Sequence, residues 1–310
     1  MRTIRVGSRK SLLAIRQTNL VLDQLRQLHP DRIFEVVPYT TKGDQLQDVP
    51  LSVIGGKGIF VTDIETAIQQ GKIDMAVHSM KDLPAILAPG CTIGAVSPRE
   101  DVRDCLVFSN PNWSLANLPS GSIVGTSSLR RTLQLQRQRP DLVYRSIRGN
   151  IDSRIEKVKE GQYQAVVLAM AGLKRLGWQG GRDIFLEPLS LDICLPAVAQ
   201  AALAIECRQE DTEILDLLAT FNDKQVAQCV AIERQFLSLL QADCTFPISA
   251  LAQTKGDGYV LQTMLASPKG ECHYAQVEGK QVNTLASEAF TKLKEAGVRG
   301  LPNVENSNYP

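Results

Sequence analysis

The sequence has 310 residues, of which 44% are apolar and 22% charged, enough for roughly two to three globular domains. Its 34 basic and 33 acidic side chains leave a net charge of only +1, which excludes a general nucleic-acid or membrane-surface binder. No apolar run approaches the ~20 residues that span a bilayer, and the start MRTIRVGSRK has no apolar signal region, so we expect a cytoplasmic protein. Seven cysteines without C-x-x-C spacing indicate neither disulfides nor a metal site.

Hydrophobic periodicity predicts an alternation of strands and helices through the first third of the chain. The predicted elements are a strand at 4–6, a loop at 7–11, a helix from 12 to 29, a strand at 34–37, a helix at 59–70 and a strand at 74–78. Proline and glycine interrupt the pattern between 110 and 121, after which it restarts. The second series is a strand at 123–125, a helix from 129, a strand at 142–147, a helix from 151 and a central strand at 165–169.

The last third has a different pattern, typical of a small antiparallel α+β domain. It comprises a long helix at 226–240, strands at 248–252, 259–265 and 272–277, and a final helix at 283–296. The apolar, alanine-rich stretch 195–206 is expected to return to the first domain. The predicted domains are therefore 1–98 with 200–219, then 99–199, and finally 220–310.

Four polar loops follow predicted parallel strands, where open α/β sheets bind their ligands. They are Ser8-Arg9-Lys10-Ser11, Ser79-Met80-Lys81-Asp82, Thr126-Ser127-Ser128-Leu129-Arg130-Arg131 and Arg148-Gly149-Asn150. Helix N-termini and arginines favour anions there; one arginine alone is better explained as a solvated surface charge, but four such loops together favour an anion site. Because neither a P-loop nor a G-x-G-x-x-G motif is present, a ligand with several carboxylates is favoured over a nucleotide. The run Gly55-Gly56-Lys57-Gly58 is either a surface loop or a lid over this cleft.

Three further residues invite chemical roles that spacing alone leaves open. Asp82 lies among basic loops and is either a ligand-binding carboxylate or the partner of Lys81. His78, in an apolar strand, is interpreted as a structural histidine, with a cysteine or serine hydrolase as the alternative. Cys244 lies in a loop after the long helix, unlike most of the other cysteines, which are expected to be buried and inert.

Taken together, these motifs resemble the porphobilinogen deaminase (hydroxymethylbilane synthase) family over nearly the whole chain. The resemblance rests above all on His78-Ser79-Met80-Lys81-Asp82-Leu83-Pro84 and Gly125-Thr126-Ser127-Ser128-Leu129-Arg130-Arg131. Further matches are Ser8–Ala14, Thr41–Asp44, Gly55–Phe60, Arg99–Asp101, Arg148–Asn150, Leu168–Gly177, Leu195–Val198 and Glu233-Arg234. It implies two α/β domains like those of type II periplasmic binding proteins and a small α+β domain that carries a cysteine.

The same resemblance implies a cytoplasmic, monomeric transferase of haem and tetrapyrrole biosynthesis that uses neither metal, membrane nor nucleic acid. A dipyrromethane cofactor would be attached through a thioether to Cys244, and four porphobilinogen molecules would be added to it with loss of ammonia. Hydrolysis would then release hydroxymethylbilane. Asp82 would be catalytic, and Lys57 would belong to the lid. The residues implied in cofactor and substrate binding are Arg9, Ser11, Lys81, Thr126, Ser127, Ser128, Arg130, Arg131, Arg148, Asn150, Arg154 and Arg175.

This chain departs from the family pattern at five positions where glycine is usual. They are Ala199, Ala201, Ala204, Ala242 and Asp243. Because glycine permits a positive φ and close backbone approach, these changes bear on the segment that returns to the first domain and on cofactor loading. The alternatives to an active deaminase are a poorly active paralogue, a non-catalytic binding protein for a carboxylated small molecule, and a hydrolase using Cys244 and His78.

Overall fold

The computed structural model describes residues 2–41, 61–181, 183–240, 246–267 and 269–298. The chain divides into two compact units, residues 1–100 with 201–228 (unit 1) and residues 101–200 with 229–310 (unit 2). In unit 1 the chain forms, in order, β1 (Thr3–Arg9), α1 (Leu12–Leu28), β2 (Ile33–Tyr39), α2 (Thr62–Gln69), β3 (Met75–Ser79) and β4 (Cys91–Val96).

In unit 2 it continues with β5 (Asp104–Phe108), β6 (Ile123–Gly125), α3 (Leu129–Gln138), β7 (Val143–Arg145), α4 (Ile151–Lys159), β8 (Ala165–Ala169), α5 (Met170–Arg175) and β9 (Phe185–Pro188). The return to unit 1 brings β10 (Leu203–Arg208) and α6 (Thr212–Ala219). The chain ends with α7 (Lys224–Leu239), β11 (Ile248–Lys255), β12 (Gly258–Ala266), β13 (Cys272–Gly279) and α8 (Val282–Glu295).

The sheet of unit 1 has the strand order β2-β1-β3-β10-β4, in which β10 runs antiparallel to both of its neighbours. One face packs on α1, where Val21, Leu22 and Leu25 meet the strand residues Ile4 and Val6. The opposite face packs on α2 through a second apolar cluster around Ile64 and Ile68. Burial on both faces explains why three successive residues of β3, Met75, Ala76 and Val77, are apolar.

The large sheet of unit 2 repeats this topology. Its strand order is β7-β6-β8-β5-β9, and β5 is the antiparallel strand in the fourth position. In each sheet the antiparallel strand is the one formed just after the chain crosses from the other unit, at 100/101 and at 200/201. The first parallel strand of each sheet, β1 or β6, leads directly into a helix, so both sheets have a strand-to-helix loop at the same place.

A smaller antiparallel sheet, β11-β12-β13, lies within unit 2 and is covered by α8. Leu251 and Met264 of this sheet form one buried cluster with Leu195, which belongs to the segment after β9. The predicted fold class, two α/β domains and a small α+β domain, is therefore confirmed. Within the described ranges, no helix is long and apolar enough to cross a membrane.

Several local predictions are wrong. Residues 7–9 were expected in a loop, but β1 continues to Arg9 and pairs with β2 from Thr3↔Ile33 to Arg9↔Tyr39. The strands β4, β5, β9 and β10 were not predicted, since their partners are distant in sequence.

Ala199 and Ala201 adopt a backbone conformation that L-residues rarely take. Their φ angles are +57° and +77°, and they are the two non-glycine residues with positive φ in the described part of the chain. The left-handed region brings Cβ close to the following carbonyl oxygen, at a cost of roughly 1–2 kcal/mol per residue. Ala204 instead lies inside β10 with ordinary strand geometry. Two of the usual glycine positions thus keep the conformation that favours glycine.

We predict that Ala199→Gly and Ala201→Gly are each more stable than Ala204→Gly by about 1–2 kcal/mol. All three alanines are 6% exposed or less, so the packing and chain-entropy losses on removing Cβ are similar, and the relief of strain makes the difference. Urea unfolding of the three variants and the parent measures it. Equal losses at all three positions would contradict the prediction.

Candidate functional site

Three predicted ligand residues of unit 1, Arg9, Ser11 and Asp82, meet at one cavity. Its volume is about 60 Å³, and it lies where β1 and β3 end. Among the described residues, its lining is Arg9, Ser11, Leu13, Ala14, Gln17, Val61, Val77, His78, Ser79 and Asp82. A basic and an acidic group therefore face one small polar space at the carboxyl edge of the sheet, as expected for an open α/β fold.

The segment that carries Lys81 and Asp82 is a 3₁₀ turn, Met80–Asp82, which directly follows β3. The Ser79 hydroxyl donates to Oε1 of Gln17 at 3.1 Å, and the N–H of Met80 donates to the Ala202 carbonyl at 3.0 Å. Both side chains of the Lys81-Asp82 pair are half-buried. The turn is thus tied to α1 and to the chain leading into β10, so Asp82 stands on a supported backbone.

In unit 2 a buried carboxylate organises two of the predicted arginines. Asp104 is fully buried at the start of β5, and its two oxygens lie 2.8 Å from Nη2 of Arg130 and 2.7 Å from Nη2 of Arg131. Arg130 also donates to the Leu195 carbonyl at 2.7 Å, and Arg131 to the Val167 carbonyl at 2.9 Å. Burial lowers the pKa of Arg130, but the charge and hydrogen bond of Asp104, together with those of Cys194, outweigh this and hold the pKa above its usual value.

A cluster of positively charged side chains lies next to Arg131. Burial, together with the nearby charges of Arg131 and Arg148, lowers the pKa of Arg154 to about 10. Nε of Arg154 donates to the Gly149 carbonyl at 2.8 Å, while Nε of Arg131 is buried without a hydrogen-bond partner among the described residues. Three guanidinium groups that repel one another, one with an orphaned N–H, form a site that an anion would stabilise.

The predicted hydroxyl and amide ligands shape the loops that follow the parallel strands in both large sheets. Ser11, Ser128 and Asn150 are the N-caps of α1, α3 and α4, and each side chain accepts from the backbone N–H three residues further on. The Ser127 hydroxyl donates to the Ile147 carbonyl at 2.6 Å, and Thr126 Oγ1 accepts from the Ser128 N–H at 3.2 Å. The three caps stabilise the first turns of α1 in unit 1 and of α3 and α4 in unit 2, and the Ser127 and Thr126 bonds hold the loops after β7 and β6.

The remaining predicted residues fall into two groups. Arg148 and Arg175 are half-buried; Arg148 lies in the loop after β7, and Arg175 lies at the C-terminal end of α5, which follows β8. Lys57 and Cys244 lie outside the described residues, as do Ala242 and Asp243. His78 is buried, and its Nε2 atom lies 3.0 Å from Oε2 of Glu206. The structural interpretation of His78 is in keeping with this contact.

Sequence reasoning missed the residues that hold the arginines in place. Asp104, Gln134 and Gln200 are buried and polar, and Gln200 donates to the Asp104 carboxylate at 3.0 Å. Gln134 exchanges two hydrogen bonds with the backbone of Leu195, of 3.1 and 2.8 Å. The available signal was a single aspartate that opens the otherwise apolar strand Cys105–Phe108, since a buried acid requires a basic partner.

Family models cover both parts of the chain. The model described as "Porphobilinogen deaminase, dipyromethane cofactor binding domain" matches residues 4–216, and "Porphobilinogen deaminase, C-terminal domain" matches residues 227–296. The chain belongs to the porphobilinogen deaminase family. It is 55% identical to the porphobilinogen deaminase of Streptococcus sanguinis, covering 97% of this chain and 99% of that protein. It is 48% identical to that of Geobacillus kaustophilus, covering 97% of each.

Solved structures of other families are more distant from this member of the porphobilinogen deaminase family. The periplasmic VFT2 domain of BvgS from Bordetella pertussis has a TM-score of 0.42 and 17% identity, covering 74% of this chain and 92% of that one. The periplasmic aliphatic sulphonate binding protein SsuA from Escherichia coli has a TM-score of 0.40 and 15% identity, covering 78% and 71%.

We predict that Asp104→Asn destabilises the protein by about 3–5 kcal/mol, because it leaves two buried guanidinium groups without their counter-charge. Asp257→Asn is the matched control, since Asp257 pairs with Lys280 at the surface, where such pairs contribute little. Chemical unfolding of both variants measures the difference. A small and equal effect of the two substitutions would show that Asp104 does not hold this site together.

Proposed function

We propose that this chain is a transferase that joins four porphobilinogen molecules, each with loss of ammonia, to a covalently bound dipyrromethane. Hydrolysis then releases the linear tetrapyrrole hydroxymethylbilane. The observation that carries the proposal is the cluster of Arg131, Arg148 and Arg154, found in a chain that belongs to the porphobilinogen deaminase family. By analogy with the family we further propose a cytoplasmic monomer with three domains, at 1–98 with 200–219, 99–199 and 220–310.

The cationic cluster suits the proposed ligands because each pyrrole carries an acetate and a propionate side chain. A charge-assisted hydrogen bond contributes roughly 1.5–3 kcal/mol, so several of them hold a growing polyanionic chain. We assign carboxylate binding to Arg9, Ser11, Lys81, Thr126, Ser127, Ser128, Arg130, Arg131, Arg148, Asn150, Arg154 and Arg175. The guanidinium group of Arg130 already bonds to Asp104 and to the Leu195 carbonyl, so we expect Arg130 to support the binding site mainly through these two contacts.

We propose that the dipyrromethane is attached through a thioether to Cys244. When bound, it supplies the pyrrole carbon to which the first porphobilinogen is joined. The arginines of unit 2 fit its carboxylates, since the orphaned Nε of Arg131 and the repulsion around Arg154 both favour a bound anion. The six cysteines that the structure does describe are less suited to attachment, because five of them are buried and Cys272 is half-buried.

Asp82 would act on the cation that porphobilinogen becomes. Once its aminomethyl group is protonated, the C–N bond breaks, ammonia leaves with the bonding electrons, and a positively charged pyrrole remains. A fixed carboxylate at the cavity wall stabilises this charge and accepts hydrogen bonds from pyrrole N–H groups. The methylene carbon then forms a bond to the ring carbon of the bound chain, which loses its proton.

A mass measurement tests the covalent attachment. The intact mass of the purified protein is expected to exceed that of the bare chain by one dipyrromethane, and an aldehyde reagent for pyrroles should stain it. Cys244→Ser should remove both signals, whereas Cys229→Ser, at a buried thiol of α7, should retain them. A wild-type chain that stays unmodified after incubation with porphobilinogen would refute the proposed function.

Asp82→Asn tests the carboxylate at the cavity. Because asparagine preserves the shape but removes the charge, the variant should keep most of its substrate binding and lose turnover by a factor of about 10²–10³. Asp23→Asn, at an exposed position of α1, is the control and should turn over normally. Single-turnover release of ammonia from porphobilinogen measures the effect. Near-normal turnover of Asp82→Asn would remove the role assigned to that residue.

A further inference from the structure

A buried histidine and a buried glutamate lie side by side at the Asp82 cavity. His78 of β3 and Glu206 of β10 belong to neighbouring antiparallel strands, with the register His78↔Ala204 and Ala76↔Glu206. This register puts both side chains on one face of the sheet, and Nε2 of His78 lies 3.0 Å from Oε2 of Glu206. His78 is 6% exposed and Glu206 0%, yet His78 also lines the cavity that Asp82 lines. The proposed chemistry gives this pair no task.

Two further ionisable groups face the pair. Burial raises the pKa of Glu65 on α2, the Ala88 N–H lowers it and Glu206 raises it. Burial, with the charges of Glu206 and Glu65, raises the pKa of Cys91 on β4 to about 12. On the cavity side, the charged residues in the described part of the chain are Arg9 and Asp82. Two carboxyl groups, a thiol and one imidazole thus share the space between the sheet and α2.

Stability gives little reason to keep such a pair. Replacing a buried ion pair by well-packed apolar residues is often neutral or stabilising, because both charges pay for their loss of water. Within the described structure neither oxygen of Glu206 accepts a properly oriented hydrogen bond, so its desolvation is poorly compensated. The place of the pair in the chain is more informative, since His78 lies four residues before Asp82 in one continuous segment.

We propose that His78, anchored by Glu206, is a positioning residue for Asp82. This inference rests on the function proposed above. On one side of β3 the Ser79–Gln17 hydrogen bond ties the strand end to α1, and the Met80 N–H ties the turn to Ala202. The His78–Glu206 contact adds a tie on the face covered by α2. With both faces held, the 3₁₀ turn presents the Asp82 carboxylate at one fixed place in the cavity.

The expected consequence is a loss in kcat with little change in KM. A displacement of a catalytic group by about 1 Å can lower the rate by 10²-fold, whereas carboxylate binding depends mainly on the arginines. His78→Leu should therefore lower kcat by about 10–100-fold per cofactor-loaded molecule. His78→Leu combined with Glu206→Leu should show a similar loss in kcat while its thermal midpoint stays near that of the parent.

A double-mutant cycle with Asp82→Asn distinguishes positioning from general damage. If His78 acts through Asp82, His78→Leu should cost little further turnover once Asp82 has been replaced. If the two losses multiply, His78 does not act through Asp82 and the proposal is overturned. His78→Asn provides a second, polar variant for the same cycle should the leucine variant fold poorly, and the same non-additivity is expected of it.

The controls separate this inference from the proposed function. His29→Leu, at a surface histidine bonded to Thr220, should leave kcat, KM and cofactor mass unchanged. If the parent is active and loaded with cofactor and the His78 variants keep full kcat, the positioning role is overturned and the proposed function still stands. A parent without covalent pyrroles or turnover would refute the proposed function itself. If kcat and the thermal midpoint both fall in the His78→Leu/Glu206→Leu double variant, His78 has a structural role only.

Discussion

The buried carboxylate of Asp104 decides how positive charge is distributed in unit 2. One negative charge serves two guanidinium groups, those of Arg130 and Arg131, so the pairing cannot neutralise the arginines gathered at this edge. Asp104 also holds Arg131 close enough to Arg148 and Arg154 for their charges to lower the pKa of Arg154. A chain with a net charge of +1 thereby concentrates positive charge at one place, as the proposed binding of a ligand with several carboxylates requires.

The two large sheets share one topology but carry different charges at the edge where their parallel strands end. In each of them the first parallel strand leads into a helix capped by a serine, Ser11 on α1 and Ser128 on α3, at the edge where the parallel strands end. The edge in unit 2 carries the cationic cluster, whereas that in unit 1 also carries a carboxylate, Asp82. The shared topology provides a polar edge with helix N-termini, and the side chains placed on it determine which charge each sheet presents.

Local patterns predicted the parts of this arrangement that depend on local sequence. The loops after β1, β3, β6 and β7 and the Ser128 cap follow from periodicity and capping preference. The strands β5 and β10 escaped prediction, because an antiparallel strand inserted after a chain crossing pairs with residues far away in sequence. Asp104 and Glu206 were missed for the same reason, since their partners lie 26 and 128 positions away along the chain. The sequence therefore predicts which residues belong to the polar loops. Only the tertiary structure shows which of their side chains bond to other parts of the protein.

The alanines at 199 and 201 show that a departure from a family pattern can alter energy without altering the path of the chain. Both keep left-handed backbone conformations, so other contacts must hold the backbone against the preference of the side chain. One such contact is visible. The N–H of Ala199 donates at 2.6 Å to the buried carboxylate of Glu233, whose second oxygen accepts the N–H of Ala252 at 2.8 Å. This bridge ties the segment before the chain returns to unit 1 to the small sheet of unit 2. Because a charged acceptor makes strong bonds to both N–H groups, it can offset strain of about 1–2 kcal/mol. We therefore infer that the loss of glycine here lowers stability rather than abolishing the geometry on which the proposed chemistry depends.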